Sequence, residues 1–263
     1  MGVDVLTGIV RHKKEEVAAA EKRVSEGQLR LQANACEPRR PFSAALSQPG
    51  AQRVNIIAEI KRASPSKGVI RQDLEAGVQA RHYEAGGAAA LSVLTDSRFF
   101  RGGWQDLVEA KRATQLPVLR KDFVISAYQI FESIAMGADA VLLIVRILSQ
   151  QQLKDYLTLC AENRIDALVE VHSEAEFEVA ARAGARLIGV NNRNLDTFTT
   201  DIATSLRLAA LFEKHHVGVA ESGIAGRKDI ERILAAGIHN FLIGESLVRA
   251  SDPRAFLNSL IFQ

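Results

Sequence analysis

From residue 54 onward the chain alternates between two hydrophobic patterns. Short, nearly continuous apolar runs recur about every 20–35 residues, and between them apolar positions fall at helical spacing. Eight runs read as strands: 55–60, 89–94, 117–121, 139–144, 166–171, 186–190, 216–221 and 239–243. Val, Ile, Leu and Ala in consecutive positions suit parallel strands covered on both faces, and parallel neighbours need the intervening helices as crossovers. A weak repeat joins the two patterns: a helix, then Ala-Gly or Met-Gly, then an apolar strand. HYEAGGAAALSVLT, ESIAMGADAVLLIV, VAARAGARLIGVNN and RILAAGIHNFLIG are its four copies. Glycine just past each helix predicts a left-handed cap. The crossover 173–184 shows the helical half best. Ser173 is placed to cap it, Glu176 to complete a capping box, and Phe177, Ala180, Ala181 and Gly184 to line one face.

Eight βα units in one chain predict an α/β fold, a (β/α)8 TIM barrel. Strand order is not encoded in the pattern, so an open doubly wound sheet remains the alternative. Residues 1–50 precede the first strand and form an N-terminal helical extension to a single barrel domain of residues 1–263. RHKKEEVAAAEKRVSEGQLRLQAN, with mixed charges at helical spacing, reads as a solvated amphipathic helix, with a lid over the barrel mouth as the functional alternative. QPGAQ at 48–52 reads as a linker.

Composition adds mainly exclusions. Of 263 residues, 47% are hydrophobic and 24% charged, with a net charge of +2. That balance supports a sizeable core and gives no electrostatic footprint for nucleic acid or a membrane surface. Cys36 and Cys160 lack metal-like spacing and read as reduced thiols. No apolar run approaches a membrane span. The N-terminus lacks the features of a signal peptide, and Leu6 stands where a myristoylation signal after Gly2 needs Ser or Thr. The chain therefore reads as soluble and cytoplasmic. No GxGxxG or Walker sequence follows any strand, which argues against dinucleotide or ATP binding. His215 and His216 are adjacent, which points them apart, so a metal site is not expected.

Candidate chemistry follows from the barrel, whose active sites sit at the C-terminal strand ends. Glu59 and Lys61, two apart, share one face of strand 55–60. Strand 117–121 ends in Arg120, Lys121 and Asp122, strand 166–171 in Glu170 followed by His172, and strand 186–190 leads to Asn191 and Arg193. Glu221, Ser222 and Gly223 follow at the seventh rim position, Gly244 and Glu245 at the eighth. Buried charges of both signs at one end of different strands offset one another around a polar cavity. Lysines crowded by cations and partly desolvated would have lowered pKa values and exchange protons near neutral pH. Loops after strands 7 and 8 are the phosphate seat of such barrels, and ESGI and GES have the small residues that admit an anion to the backbone. Ser64, Ser66 and Lys67 in SPSKG add donors. Trp104 and RFFRGGW either pack or cover an aromatic substrate.

These segments, IIAEIKRASPSKG, LSVLTD…FFRGG, PVLRKDFVI…Y, ADAVLLI, ALVEVHS, IGVNNRNL and VAESGI, taken in order, resemble indole-3-glycerol phosphate synthase. The resemblance runs from about residue 5 to residue 250 and implies a (β/α)8 barrel whose N-terminal extension helps cover the substrate. It implies conversion of 1-(2-carboxyphenylamino)-1-deoxyribulose 5-phosphate to indole-3-glycerol phosphate with loss of CO2 and water. No metal or organic cofactor is implied, and the partner is a small phosphosugar. A monomer is compatible with it, although the sequence does not set the oligomeric state. By the same resemblance Lys121 is the general acid of ring closure, Glu170 the acid/base of later steps, and Lys61 lies near the substrate carboxylate and is also implicated in proton transfer, which leaves open which lysine serves dehydration. Glu59, Asn191 and Glu221 position these groups. Ser64, Arg193, Ser222, Gly223 and Gly244 surround substrate and phosphate, and Phe123 forms an apolar wall. Some members carry serine where Glu245 stands. A carboxylate would repel a phosphate, so only the Glu245 backbone is expected to face it. A Schiff-base aldolase using Lys121 and a non-catalytic phosphosugar-binding protein are the competing readings.

Overall fold

The computed structural model describes residues 5–36, 38–194 and 199–262. Gly2 and Leu195, the last residue of IGVNNRNL, lie outside them. Eight parallel strands close into a barrel: β1 (Asn55–Ile60), β2 (Ala90–Leu94), β3 (Val118–Lys121), β4 (Ala140–Ile144), β5 (Asp166–Val171), β6 (Leu187–Asn191), β7 (Val217–Glu221) and β8 (Asn240–Ile243). Each pairs with its neighbours in chain order, and β8 closes on β1 with Ile57 opposite Leu242. The closed ring rules out the doubly wound sheet. Every bound falls within one residue of the sequence expectation.

Strand alternation sorts the apolar residues into two layers. Ile56, Ala58 and Ile60 face the helices, as do Val169 and Val171. Ile57, Leu119, Leu168, Leu187, Val219 and Leu242 fill the barrel interior. Following the inward positions to the C-terminal rim gives Glu59 and Lys61 after Ile57, Lys121 after Leu119, Glu170 after Leu168, and Glu221 after Val219. The charged residues of both signs therefore gather at the C-terminal end of the core. Arg120 sits on the opposite face. It is buried against the helix Ala127–Ala135, pairing with Glu132 at 2.8 Å and Asp122 at 3.1 Å, so it belongs to the outer layer rather than the rim cluster.

In three of the four copies the repeat glycine has a left-handed backbone, Gly137, Gly184 and Gly237; in the first, Gly86 after Ala85 is right-handed and the following Gly87 takes the left-handed position, φ lying between +86° and +99° across these four turns. Each allows the next residue's N–H to reach back five residues, as in Ala138 to Ser133 and Ala185 to Ala180. The crossover helix after β5, Glu174–Arg182, is capped by Ser173 as expected. Its capping box is incomplete, because the Glu176 carboxylate accepts from the N–H of His172 instead of Ser173. Phe177 and Ala180 are buried and Ala181 partly so, but Gly184 is exposed: it terminates the helix instead of lining its buried face.

The extension departs most from its expectation. Among the described residues it contains three helices, α1 (Val5–Arg23), α2 (Glu26–Ala35) and α3 (Phe42–Ser47). Ser25 splits the expected single helix by capping α2 in a reciprocal box with Gln28. Helix α1 is not merely solvated. Leu6, Ile9 and Lys13 are buried, and the first two line the barrel mouth. Helix α3 closes the other end, with Phe42 and Leu46 packed into the interior cluster. Burying Phe42 stabilises the barrel floor by about 2–3 kcal/mol. Asp139 and Asp166 hold this plug by accepting from the N–H groups of Arg40 (2.7 Å) and Ser43 (2.8 Å). Among the described residues no helix is long and apolar enough to cross a membrane.

Candidate active site

A cavity of about 730 Å³ opens at the C-terminal end of the strands. The two halves of its wall differ in chemistry. Glu59 and Lys61 from β1 and its edge, Lys121 from β3, Glu170 from β5, Asn191 from β6 and Glu221 from β7 form a charged floor. Ser64, Arg193, Ser222, Gly223, Gly244 and Glu245 line the side formed by the loops after β1, β6, β7 and β8, and Phe123 forms part of an apolar wall. The fold thus brings all thirteen residues that the resemblance assigns to substrate or catalysis to one cavity.

Lys121 is the hub of the floor. Its ammonium lies 3.0 Å from Glu170 Oε2 and 3.4 Å from Glu221 Oε2. Lys61 pairs with Glu59 at 2.5 Å. The neighbours of Lys121 are carboxylates, which reverses the expected direction of its pKa. Burial alone would lower it, but the charges of Glu170, Glu221 and Glu59 outweigh burial and hold it raised. Three carboxylates face two ammonium groups, so one carboxylate is in excess. Glu221 takes that part: burial, aided by the charges of Glu170 and Glu59 and opposed by Lys121, pushes its carboxyl up to about 7. Burial acts upward on Glu170 too, but Lys121, His172 and hydrogen bonds from Lys121 and Asn191 hold it down. The site therefore pairs a firmly charged lysine with one ionised carboxylate and one that keeps a proton near neutrality. Glu221 Oε1 is buried with no hydrogen-bond partner among the described residues, which leaves it available to a bound hydroxyl.

The other side suits an anion. Ser222 and Gly223 both have positive φ, +65° and +74°. For Ser222 that is strained backbone of the kind found at binding sites. Arg193 donates to Ser66 Oγ at 3.0 Å. The Glu245 carboxylate is drawn back along its own helix, Glu245–Arg249, by Arg249 at 3.1 Å, with Lys67 4.0 Å away. Opposite, Phe100 packs on Phe123 with ring centroids 6.1 Å apart, and Leu6 and Ile9 of α1 roof the opening. Trp104 does not share this role. It is 52% exposed and does not line the cavity.

Two contributions, the small residues beside two carboxylates and the role of Lys13, escaped sequence reasoning, whereas His172 was read at the fifth strand end. Gly189 on β6 faces Glu221, and a Cβ there would overlap Glu221 Oε1; a Cβ on Gly244 would overlap Glu59 Oε1 in the same way. Strand glycines signal close approach in general, but not what approaches. Lys13 of α1 is 1% exposed and pairs with Asp122 at 2.9 Å and Asp96 at 3.1 Å. It ties the roof to the residue between Lys121 and Phe123. His172 contacts Glu170 from behind at 3.4 Å. His215 and His216 were expected to point apart. They occupy a turn before β7 rather than a strand, and their rings approach to 3.9 Å. Among the described residues no cluster of His, Cys, Asp or Glu could hold a metal ion.

Solved structures of like fold include 3-hexulose-6-phosphate synthase from Salmonella typhimurium, with TM-score 0.62 and 12% identity, covering 79% of this chain and 96% of that one. N-acetylmannosamine-6-phosphate 2-epimerase from Clostridium perfringens is another, with TM-score 0.61 and 14% identity over 80% and 93% of the two chains. At such identities they speak to the fold alone. A family model described as indole-3-glycerol phosphate synthase matches residues 6–260. Relatives of that name from Desulfosudis oleivorans and Syntrophobacter fumaroxidans are 56% and 53% identical, over 98% of this chain and 98% and 97% of theirs. A third, from Chlorobium chlorochromatii, is 47% identical over 96% of this chain and 98% of its own. Matched along nearly its whole length by the family model and by relatives that share half its residues, the chain belongs to the indole-3-glycerol phosphate synthase family.

Proposed function

We propose that the cavity converts 1-(2-carboxyphenylamino)-1-deoxyribulose 5-phosphate to indole-3-glycerol phosphate, releasing CO2 and water, with Lys121 as the general acid of ring closure. The observation that carries this reading is the seat of Lys121 between Glu170 and Glu221, at 3.0 and 3.4 Å, on the floor of the cavity. The ring carbon bearing the carboxylate attacks the ketone, and negative charge grows on the carbonyl oxygen. An ammonium kept charged by carboxylates stabilises that oxygen and then protonates it. Attack breaks aromaticity, so holding the two carbons in contact matters greatly. The Phe100–Phe123 wall and the roof of Leu6 and Ile9 serve that end. Loss of CO2 returns its bonding pair to the ring. Glu170 then protonates the departing hydroxyl, while the amine of Lys121 removes a methylene proton and recovers its charge. Lys61, oriented by Glu59, faces the substrate carboxylate, and Glu221 and Asn191 hold substrate hydroxyls and Glu170. Ser64, Arg193, Ser222, Gly223, Gly244 and the Glu245 backbone receive the phosphate. Since the extension roofs the cavity, we read residues 1–263 as one working unit.

The raised pKa of Lys121 also weighs against the aldolase reading, because Schiff-base formation needs a neutral amine. In a fluorescence assay for indole formation, Lys121→Ala is expected to lower turnover by about 10²–10⁴-fold while leaving the circular dichroism spectrum unchanged. A folded variant with full activity would refute the assignment. Borohydride added with substrate should leave no covalent adduct on Lys121, and a trapped adduct would favour the aldolase.

A further inference from the structure

The reaction set out above does not balance on the protons of its substrate. The carboxylate leaves as neutral CO2. The ketone oxygen leaves as water and so needs two protons, of which the methylene carbon returns only one through Lys121. One proton per turnover must come from outside the substrate, by way of Glu170, in a cavity roofed by Leu6 and Ile9.

His172 stands behind Glu170 in the right place. Its side chain is 4% exposed, with Nε2 3.4 Å from Glu170 Oε1 and Nδ1 3.1 Å from Glu176 Oε2. Nε2 has no hydrogen-bond partner among the described residues. Glu176 also accepts from the His172 backbone N–H at 2.7 Å, and Arg146 pairs with it at 3.1 Å. The ring is thereby fixed edge-on between two carboxylates, one facing the cavity and one facing away. Nδ1 is hydrogen-bonded to Glu176, while Nε2 stands 3.4 Å from Glu170 Oε1 without bonding it, so a small turn of the ring would bring an Nε2 proton onto Glu170.

We propose that His172 is the proton reservoir of the site, loaded from solvent while the cavity is open and emptied into Glu170 during turnover. The step is balanced: the Nε2 proton moves to Glu170, Glu170 gives it to the leaving hydroxyl, and the neutral ring keeps its Nδ1–H on Glu176. After product leaves, solvent restores the Nε2 proton by way of Glu170, which lines the cavity where His172 does not. Timing follows from the charges around Glu170. While Lys121 is cationic, its charge is the strongest of the influences that hold Glu170 ionised; once Lys121 has protonated the carbonyl, that influence is gone. His172 acts through Glu170 rather than on the substrate. The inference rests on the role given to Glu170 above.

The test is a single turnover followed by indole fluorescence and by a pH-indicator dye. In the unaltered enzyme, proton uptake from solution should trail indole formation. His172→Gln keeps an N–H for Glu170 but holds no transferable proton. It should slow indole formation about tenfold or more, with uptake now rising together with indole. Uptake that already accompanies indole formation in the unaltered enzyme overturns the reservoir. So does a His172→Gln enzyme with unchanged rate, or one that is slower but keeps the lag. Glu170→Gln separates the two assignments. Full activity there removes the role of Glu170 itself, whereas loss of turnover beside an unaffected His172→Gln removes the reservoir alone.

Discussion

Gly189 and Gly244 determine where two carboxylates of the site can stand. Neither has a positive φ; each is small because a carboxylate oxygen occupies the space a Cβ would fill. Gly189→Ala should therefore push Glu221 off its contact with Lys121. We expect kcat to fall about tenfold or more, with a loss of about 1–3 kcal/mol of stability from overpacking. Steady-state kinetics beside a thermal melt measures both, and a Gly189→Ala enzyme with normal kcat would show that the position of Glu221 does not matter. The charged residues of the site were legible in the sequence because period-two alternation fixes which rim positions face inward. The pKa direction of Lys121 was not, since it depends on which charges neighbouring strands bring within 4 Å. The absence of a side chain at Gly189 is equally mute until its neighbour is known.

At the scale of the element, the turn that ends a helix is the most regular device in the chain. A fifth turn has the same hydrogen bonds as the four glycine turns, Arg164 to Ala161 and Ile165 to Cys160, but carries Arg164 at φ +54°. Left-handed backbone costs a side-chain-bearing residue about 1–2 kcal/mol, and the entropy of an unfolded glycine offsets part of any gain. Arg164→Gly should raise stability by about 0.5 kcal/mol. Arg39 donates to the Arg164 carbonyl at 2.8 Å, a bond the substitution keeps. A denaturant midpoint that fails to rise would place the strain elsewhere. The strands and the glycine turns were legible because each is a local pattern. The break at Ser25, the arm of Glu176 toward His172 and the plug formed by α3 were not. Each depends on partners distant in the chain, or on a choice between two adjacent N–H groups.

The whole molecule is polarised, with chemistry at one end of the barrel and packing at the other, and the extension reaches both. Its hold on the upper end combines the buried Leu6 and Ile9 with the ion pairs of Lys13. Burial acts upward on the Asp122 carboxyl, but Arg120, Lys13 and a hydrogen bond from Thr95 hold it down at about 2. A carboxylate with a depressed native pKa contributes stability above its unfolded value of about 4 and loses it as pH falls toward the native one. That amounts to about 2 kcal/mol across the window from pH 4 to 2. We expect α1 to lose hydrogen-exchange protection in that window, and Asp122→Asn to make its protection low and independent of pH. A roof equally protected at pH 2 and pH 5 would refute this.

The two ends of the extension also differ in when they can be seated during synthesis. The floor needs Asp139 and Asp166, the roof needs Asp96 and Asp122, and the barrel between them closes only when β8 meets β1. A segment made before all its docking partners must wait, with Phe42 and Lys13 unhoused, until the last strand is supplied. A nascent chain stalled short of residue 240 would therefore expose its earliest helices to proteases, however much of the barrel had already been translated.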